Sequence, residues 1–192
     1  MSVAGWFGKI PALGDFATRR LPMSFVTPWD DWLSSELAEL RVQWEDQWSA
    51  RFRQVPTLCF AIDAGVVDAH TWQGVILASH DRVGREFPLT LAQGDAAAAG
   101  SVEWWAGLVA TAGHALEPGC GIAEFDRAVE DFFAGRLPAA DPLPAAGLLP
   151  AGESLRRGWW RWRDWAAAPS HVPTELPRGE HFRSLLSEPP DR

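Results

Sequence analysis

The sequence predicts an α/β fold in which a central, mainly antiparallel or mixed sheet is flanked by helices. Three observations carry this. Trp29, Trp32, Leu33, Leu37, Leu40, Trp44 and Trp48 recur at three- and four-residue steps, the spacing of an amphipathic helix with a wide apolar stripe. Short apolar runs at 58–62, 72–79 and 87–92 follow one another closely, separated by turns, which favours antiparallel pairing over helical crossovers. Helical periodicity then returns after residue 100.

Taken in order, the first 26 residues read as an irregular packed arm with a short strand near Trp6–Lys9. Thr27-Pro28-Trp29-Asp30 reads as a helix start: Thr27 caps, Pro28 fits the first turn and Asp30 complements the positive end of the dipole. That helix runs to about Trp48. Pro56 stops what precedes it. Leu58–Ile62 is continuously apolar and predicts a buried strand; Asp63-Ala64-Gly65 turns, and Trp72–Ser79 and Phe87–Ala92 give two more. Pro88 lacks an amide donor, so it either puts the third strand at an edge or begins it. Ser101 caps a helix through Leu116, and Ile122, Phe125, Val129, Phe132 and Phe133 line another ending before Gly135. Residues 138–152 carry four prolines and no periodicity, as a loop does. Residues 155–165 fit a helical stripe through Leu155, Trp159, Trp162 and Ala166, and also fit a strand.

The chain has 192 residues, 47% of them hydrophobic, enough for one domain with a sizeable core. The expected organisation is a single domain over 1–192: a motif-bearing part to about 135, a Pro/Ala-rich loop at 136–153 and a Trp-rich segment at 154–192. A formal charge of −8 argues against nucleic acid as a partner, whose binding needs a basic face. No signal-peptide pattern and no long apolar run is visible, so the expectation is a cytoplasmic chain without membrane insertion. Cys59 and Cys120 form no CxxC and read as free buried thiols in a reducing compartment. The 12 tryptophans indicate large core volume, an aromatic contact surface, or both.

No group is nominated for catalysis. Ser79, His80 and Asp81 are consecutive, and triad members meet from distant parts of a chain; the G-x-S-x-G elbow is missing. The glycines at 5, 8 and 14 fit neither a phosphate loop nor a dinucleotide fingerprint. His70, His80, His114, His171 and His181 show no zinc spacing, so neither a metal nor another cofactor is expected. Arg156, Arg157, Arg161 and Arg163 alternate with Trp159, Trp160, Trp162 and Trp165; a strand with tryptophans inward and arginines outward accounts for them without a ligand. The candidate site is a charge set: Lys9, Asp15, Arg19 and Arg20 in the arm, with Asp81, Arg82 and Arg85 in the SHDRVGR turn, where Gly84 permits a positive φ. These charges form either a structural ion network, with the arm against the loop at 79–86 through at least one carboxylate–guanidinium pair, or a partner-binding face. An alternative is an enzyme working on a small molecule or phosphopeptide in a cleft near Lys9, Asp15 and Arg85.

Residues 5–33 include Gly5-Trp6-Phe7-Gly8-Lys9-Ile10-Pro11, then Gly14-Asp15-Phe16, Arg19-Arg20-Leu21-Pro22 and Trp29-Asp30-x-Trp32-Leu33. This succession, followed by SHDRVGREFPLTL at 79–91, closely resembles the TagF (ImpM) family of type VI secretion-associated proteins. Trp159-Trp160, Leu176-Pro177 and Phe182-Arg183-Ser184-Leu185-Leu186 resemble the family's C-terminal elements, with Glu175 where the family has glycine. The resemblance implies a three-layer α/β/α sandwich and a strand around Trp159-Trp160. It implies a cytoplasmic, non-enzymatic, post-translational repressor of the secretion apparatus, acting by binding its forkhead-associated scaffold protein (Fha). Some relatives carry a fused phosphatase domain; this chain is too short for one, so binding alone is the expected mode.

Overall fold

The computed structural model describes residues 4–95, 101–136, 157–164 and 175–187. Six strands form one sheet: β1 (Ala4–Gly8), β2 (Ala17–Arg19), β3 (Leu58–Ile62), β4 (Trp72–Leu77), β5 (Leu89–Gly94) and β6 (Gly158–Arg161). Their order is β2-β1-β5-β4-β3-β6 and every pairing is antiparallel. The helices are α1 (Met23–Trp44), α2 (Trp48–Phe52), α3 (Val102–His114), α4 (Ile122–Phe133) and α5 (Gly179–Leu186), with single 3-10 turns at Glu45–Gln47 and Trp162–Asp164. No helix among the described residues is long and apolar enough to cross a membrane.

Strand alternation sorts the core into two clusters. Phe7, Leu58, Phe60, Ile62, Trp72, Ile76 and Trp159 meet the apolar stripe of α1 and, beyond it, Phe182 and Leu185 of α5. Trp6, Cys59, Ala61, Val75, Leu91 and Trp160 meet Trp105, Leu108 and Ala112 of α3 and Phe125 and Val129 of α4. The tryptophans are therefore largely core volume: Trp29 stacks between Phe25 and Trp159 and abuts Trp32 and Phe60.

Several boundaries differ from the expectation. Helix α1 begins at Met23, not Thr27, because buried Phe25 and Val26 extend its apolar stripe by a turn; Pro28 lies inside the helix. Glu45, with φ of 44°, breaks that helix before Trp48. Strand β5 starts just after Pro88 and lies between β1 and β4, so the proline begins the strand and does not mark an edge. Ser101 caps α3 as read, its hydroxyl accepting from the Trp104 amide. The Trp-rich segment forms β6 over Gly158–Arg161; Trp159 and Trp160 enter opposite core clusters, so its tryptophans do not share one inward face. The C-terminal elements dock on α1: the Trp32 indole donates to the Pro177 carbonyl, and the Gly179 amide donates to the buried carboxylate of Glu36. Cys59 is buried, and burial pushes its thiol pKa well up; Cys120 is only half-buried, contrary to the expectation for both. Most of the Pro/Ala-rich loop, together with Arg156, Trp165 and His171, lies outside the described residues.

Candidate functional site

The arm and the 79–86 loop form one unit around Asp81. The Asp81 side chain is fully buried. Its carboxylate accepts from the Val83 amide at 3.1 Å, the Arg85 amide at 2.9 Å and Arg85 Nε at 2.7 Å, and lies 3.3 Å from Lys9 Nζ. The two amide bonds close the Asx turn that the SHDRVGR chemistry predicts, with Gly84 at φ of 83°. Burial alone would raise the pKa of this carboxyl; the Arg85 amide and guanidinium, the Lys9 ammonium and the Val83 amide outweigh it and hold it well below the usual carboxylate range.

Three further bonds stitch the segments together. Ser79 Oγ donates to the Lys9 carbonyl at 2.6 Å, the Arg82 amide to the Leu13 carbonyl at 2.7 Å, and the Arg85 guanidinium to the Gly14 carbonyl. The charge link across the two segments is thus Lys9 ammonium to Asp81 carboxylate; the carboxylate–guanidinium pair, Asp81–Arg85, lies within the loop. The other members of the charge set go elsewhere. Asp15 is exposed and accepts from the Phe16 amide. The Arg19 guanidinium donates to the Thr18 carbonyl and sits 6.0 Å from the Trp6 ring centre. Arg20, at φ of 63°, reaches across to Asp126 and Glu130 of α4, where Asp126 also accepts from the Trp6 indole. Arg82 is exposed, its guanidinium lying beside Gly14.

The consecutive Ser79, His80 and Asp81 do not align as a triad: His80 Nδ1 contacts the Asp81 carbonyl, while the Ser79 hydroxyl is bound to the arm. An open cleft of about 420 Å³ lies beside the unit, between the arm and α1, lined by Lys9, Phe16, Ser34, Leu37, Ala38, Arg41, Val42, Trp48, Glu86 and Phe87. Of Lys9, Asp15 and Arg85, only Lys9 reaches it, with Nζ 4.8 Å from the Phe16 ring centre. Arg41 lies over the Trp48 ring, and buried Glu86 accepts from Ser49 and Arg53. Sequence reasoning missed this wall. Glu86 and Phe87 belong to the REFPL part of the loop motif, but nothing in the spacing says that α1 turns Arg41 and Val42 towards them.

Two outcomes follow from the asymmetry of the charge set. Asp15→Ala should melt within a degree or two of the parent, since an exposed group without a buried partner contributes little. Asp81→Asn leaves the buried Lys9 ammonium without its counter-charge and should lower Tm by more than about 5 °C at neutral pH. The sign with pH follows from the depressed carboxyl. Its stabilisation is complete above the unfolded value near about 4 and is lost as pH falls towards the folded value. Melting curves of parent and Asp81→Asn should therefore be widely separated at pH 6 and converge as pH falls below about 4; a constant gap would refute the assignment.

The unit is built from the two motif blocks, and comparison with other proteins bears on what it is. No curated protein matches the chain. The chain is similar to a solved protein, PA0076 from Pseudomonas aeruginosa PAO1: 30% identity over 85% of this chain and 75% of that one, with a TM-score of 0.63. Residues 5–132, which contain α1, the loop, β2–β5 and all of β1 but its first residue, match the TagF N-terminal domain, type VI secretion system-associated. The chain belongs to the TagF family of type VI secretion system-associated proteins.

Proposed function

We propose that this chain is a non-enzymatic, cytoplasmic repressor of type VI secretion that captures the forkhead-associated scaffold protein of the same apparatus and withholds it from assembly. The observation that carries the reading is that polar groups of both motif blocks bind one another. Asp81 takes Lys9 and Arg85, the Ser79 hydroxyl takes a backbone carbonyl, and Arg85 bridges to Gly14. Groups so engaged are poor general acids, bases or nucleophiles, but they make a rigid platform, and a rigid loop presents a better binding surface than a mobile one. The layering belongs to the same reading: two core clusters on alternate strand faces, one with α1 and α5 and one with α3 and α4, are what a three-layer α/β/α sandwich requires. The partner face is the cleft, where exposed Phe16 and Val42 lie beside Lys9 and Arg41.

Capture of the purified scaffold protein by the purified chain tests this. Binding is expected, with Val42→Asp weakening it at least tenfold at unchanged Tm, because Val42 is 78% exposed and has no core role. In cells, overexpression should suppress secretion and His80→Ala should leave that suppression intact. No capture by folded protein, or loss of suppression in a stably folded His80→Ala variant, would defeat the reading in favour of an enzyme.

A further inference from the structure

Outside the motif unit, the fold gathers three side chains at the α3–α4 turn. His114 ends α3, Cys120 follows the turn and Glu124 lies in the first turn of α4. A ring nitrogen, the thiol sulfur and a carboxylate oxygen of these residues lie within 4.8 Å of one another. The turn makes this possible: the Glu117 amide bonds the His114 carbonyl, the Cys120 amide bonds the Glu117 carbonyl, and Gly119, at φ of 87°, folds the chain back.

We propose that His114, Cys120 and Glu124 form a zinc-type metal site that clasps the α3–α4 turn, with Glu117 as a positioning residue for the imidazole. The donor set is the first argument. Nitrogen, sulfur and oxygen donors together suit zinc, cobalt or nickel; magnesium and calcium take oxygen alone. The second is the orientation of the imidazole. His114 Nδ1 lies 2.9 Å from Glu117 Oε2, and Nε2 faces Glu124 Oε1 at 3.8 Å. A carboxylate on one ring nitrogen that leaves the other for the ion is the usual outer-shell arrangement of a histidine ligand. An ordinary surface His–Glu pair accounts for one of these contacts; the thiol, 3.7 Å from the Gly121 carbonyl, converges on the same point.

The third argument is access. Cys120 is half-buried and Glu124 exposed, which gives an ion a way in and leaves a fourth position for water. Tetrahedral ligands on bonds of about 2.0–2.3 Å sit roughly 3.3–3.8 Å apart, so the donors need close by only about 1 Å. The pattern H-x5-C-x3-E spans a helix end, a turn and a helix start, which is why linear zinc spacings do not reveal it. A bound ion would pin the start of α4, the helix on which Trp6 and Arg20 rest.

The test is titration of the intact, reduced chain with cobalt(II), followed by displacement with zinc(II). One equivalent should bind at micromolar affinity or better, with the thiolate-to-cobalt charge-transfer band and intense visible bands of a tetrahedral site, and zinc should abolish both. Cys120→Ser should lose the charge-transfer band, His114→Ala and Glu124→Gln should weaken cobalt at least tenfold, and Glu117→Gln should weaken it about tenfold while keeping the band. All four should melt like the parent in chelator, since the side chains are partly exposed. Absence of saturable binding, or a band unchanged in Cys120→Ser, would overturn the proposal; neither result touches the capture of the scaffold protein.

Discussion

Gly8→Ala is expected to destabilise the protein by about 3 kcal/mol or more, by two additive routes. Gly8 holds a φ of 133°, where a side chain is strained by about 1–3 kcal/mol. A Cβ there would also meet the Pro88 carbonyl oxygen at 2.1 Å, and overpacking against backbone costs about 1–3 kcal/mol more. Gly5→Ala brings the second cost without the first: its Cβ would lie 2.0 Å from the Arg19 carbonyl oxygen, but its φ is ordinary. Denaturant unfolding should therefore rank the parent above Gly5→Ala and Gly5→Ala above Gly8→Ala. The two glycines of the G-W-F-G block thereby acquire distinct physical reasons, one close approach to β2 and one close approach to the start of β5. A Gly8→Ala protein as stable as the parent would refute that account.

Trp29→Ala should cost about 3–5 kcal/mol, the range for removing a buried aromatic side chain. Trp29 is fully buried between the helix and the sheet, and its indole donates to the Thr90 hydroxyl at 3.0 Å. Trp29→Phe separates volume from polarity. It retains most of the ring contacts but leaves the fully buried Thr90 hydroxyl without this donor, worth about 1–3 kcal/mol. Adding Thr90→Val to Trp29→Phe removes the stranded group and should recover part of the loss, a coupling that a double-mutant cycle reads directly. If Thr90→Val worsens Trp29→Phe additively, the hydrogen bond is not what joins α1 to β5.

The legible parts of the fold were those with a local cause. Strand β3 lies at Leu58–Ile62 as read because five consecutive buried apolar residues leave little choice. Helix α4 runs to Phe133, one residue short of its expected end, because its stripe and Gly135 coincide. Strand β2 was not legible: Ala17–Arg19 has no strand pattern of its own and exists because β1 offers it an edge. Helix α5 was not read either, since eight residues carry little periodicity and its order comes from Trp32 and Glu36 on a helix some 140 residues away. At the site, the reading of the charges placed Lys9, Asp81 and Arg85 in one set, and the three meet around the Asp81 carboxylate. The assignment of Asp15 and Arg20 to the same network did not follow. Strand β2 ends at Arg19 and the backbone turns at Arg20, with φ of 63°, so the two side chains take different destinations. The partners of Arg20, on α4, are set by the packing of that helix against β1.

The place of β1 in the sheet has a consequence for synthesis. Trp6 pairs in register with Leu91, so β1 lies beside a strand made some 85 residues later. On the ribosome, β1 has only the short local β2 to pair with until β5 emerges, roughly 4–17 s later at ordinary elongation rates of about 5–20 residues per second. Closing so long a loop is an entropic cost met only when β5 is available, and non-local pairings of this kind set slow folding. Trp6 waits longer still, until Phe125 of α4 has been made, a window in which a chaperone has an apolar target. The motif-bearing arm therefore acquires its shape only after a strand some 85 residues later, and no surface resting on β1 in the sheet exists before Gly94 has left the tunnel.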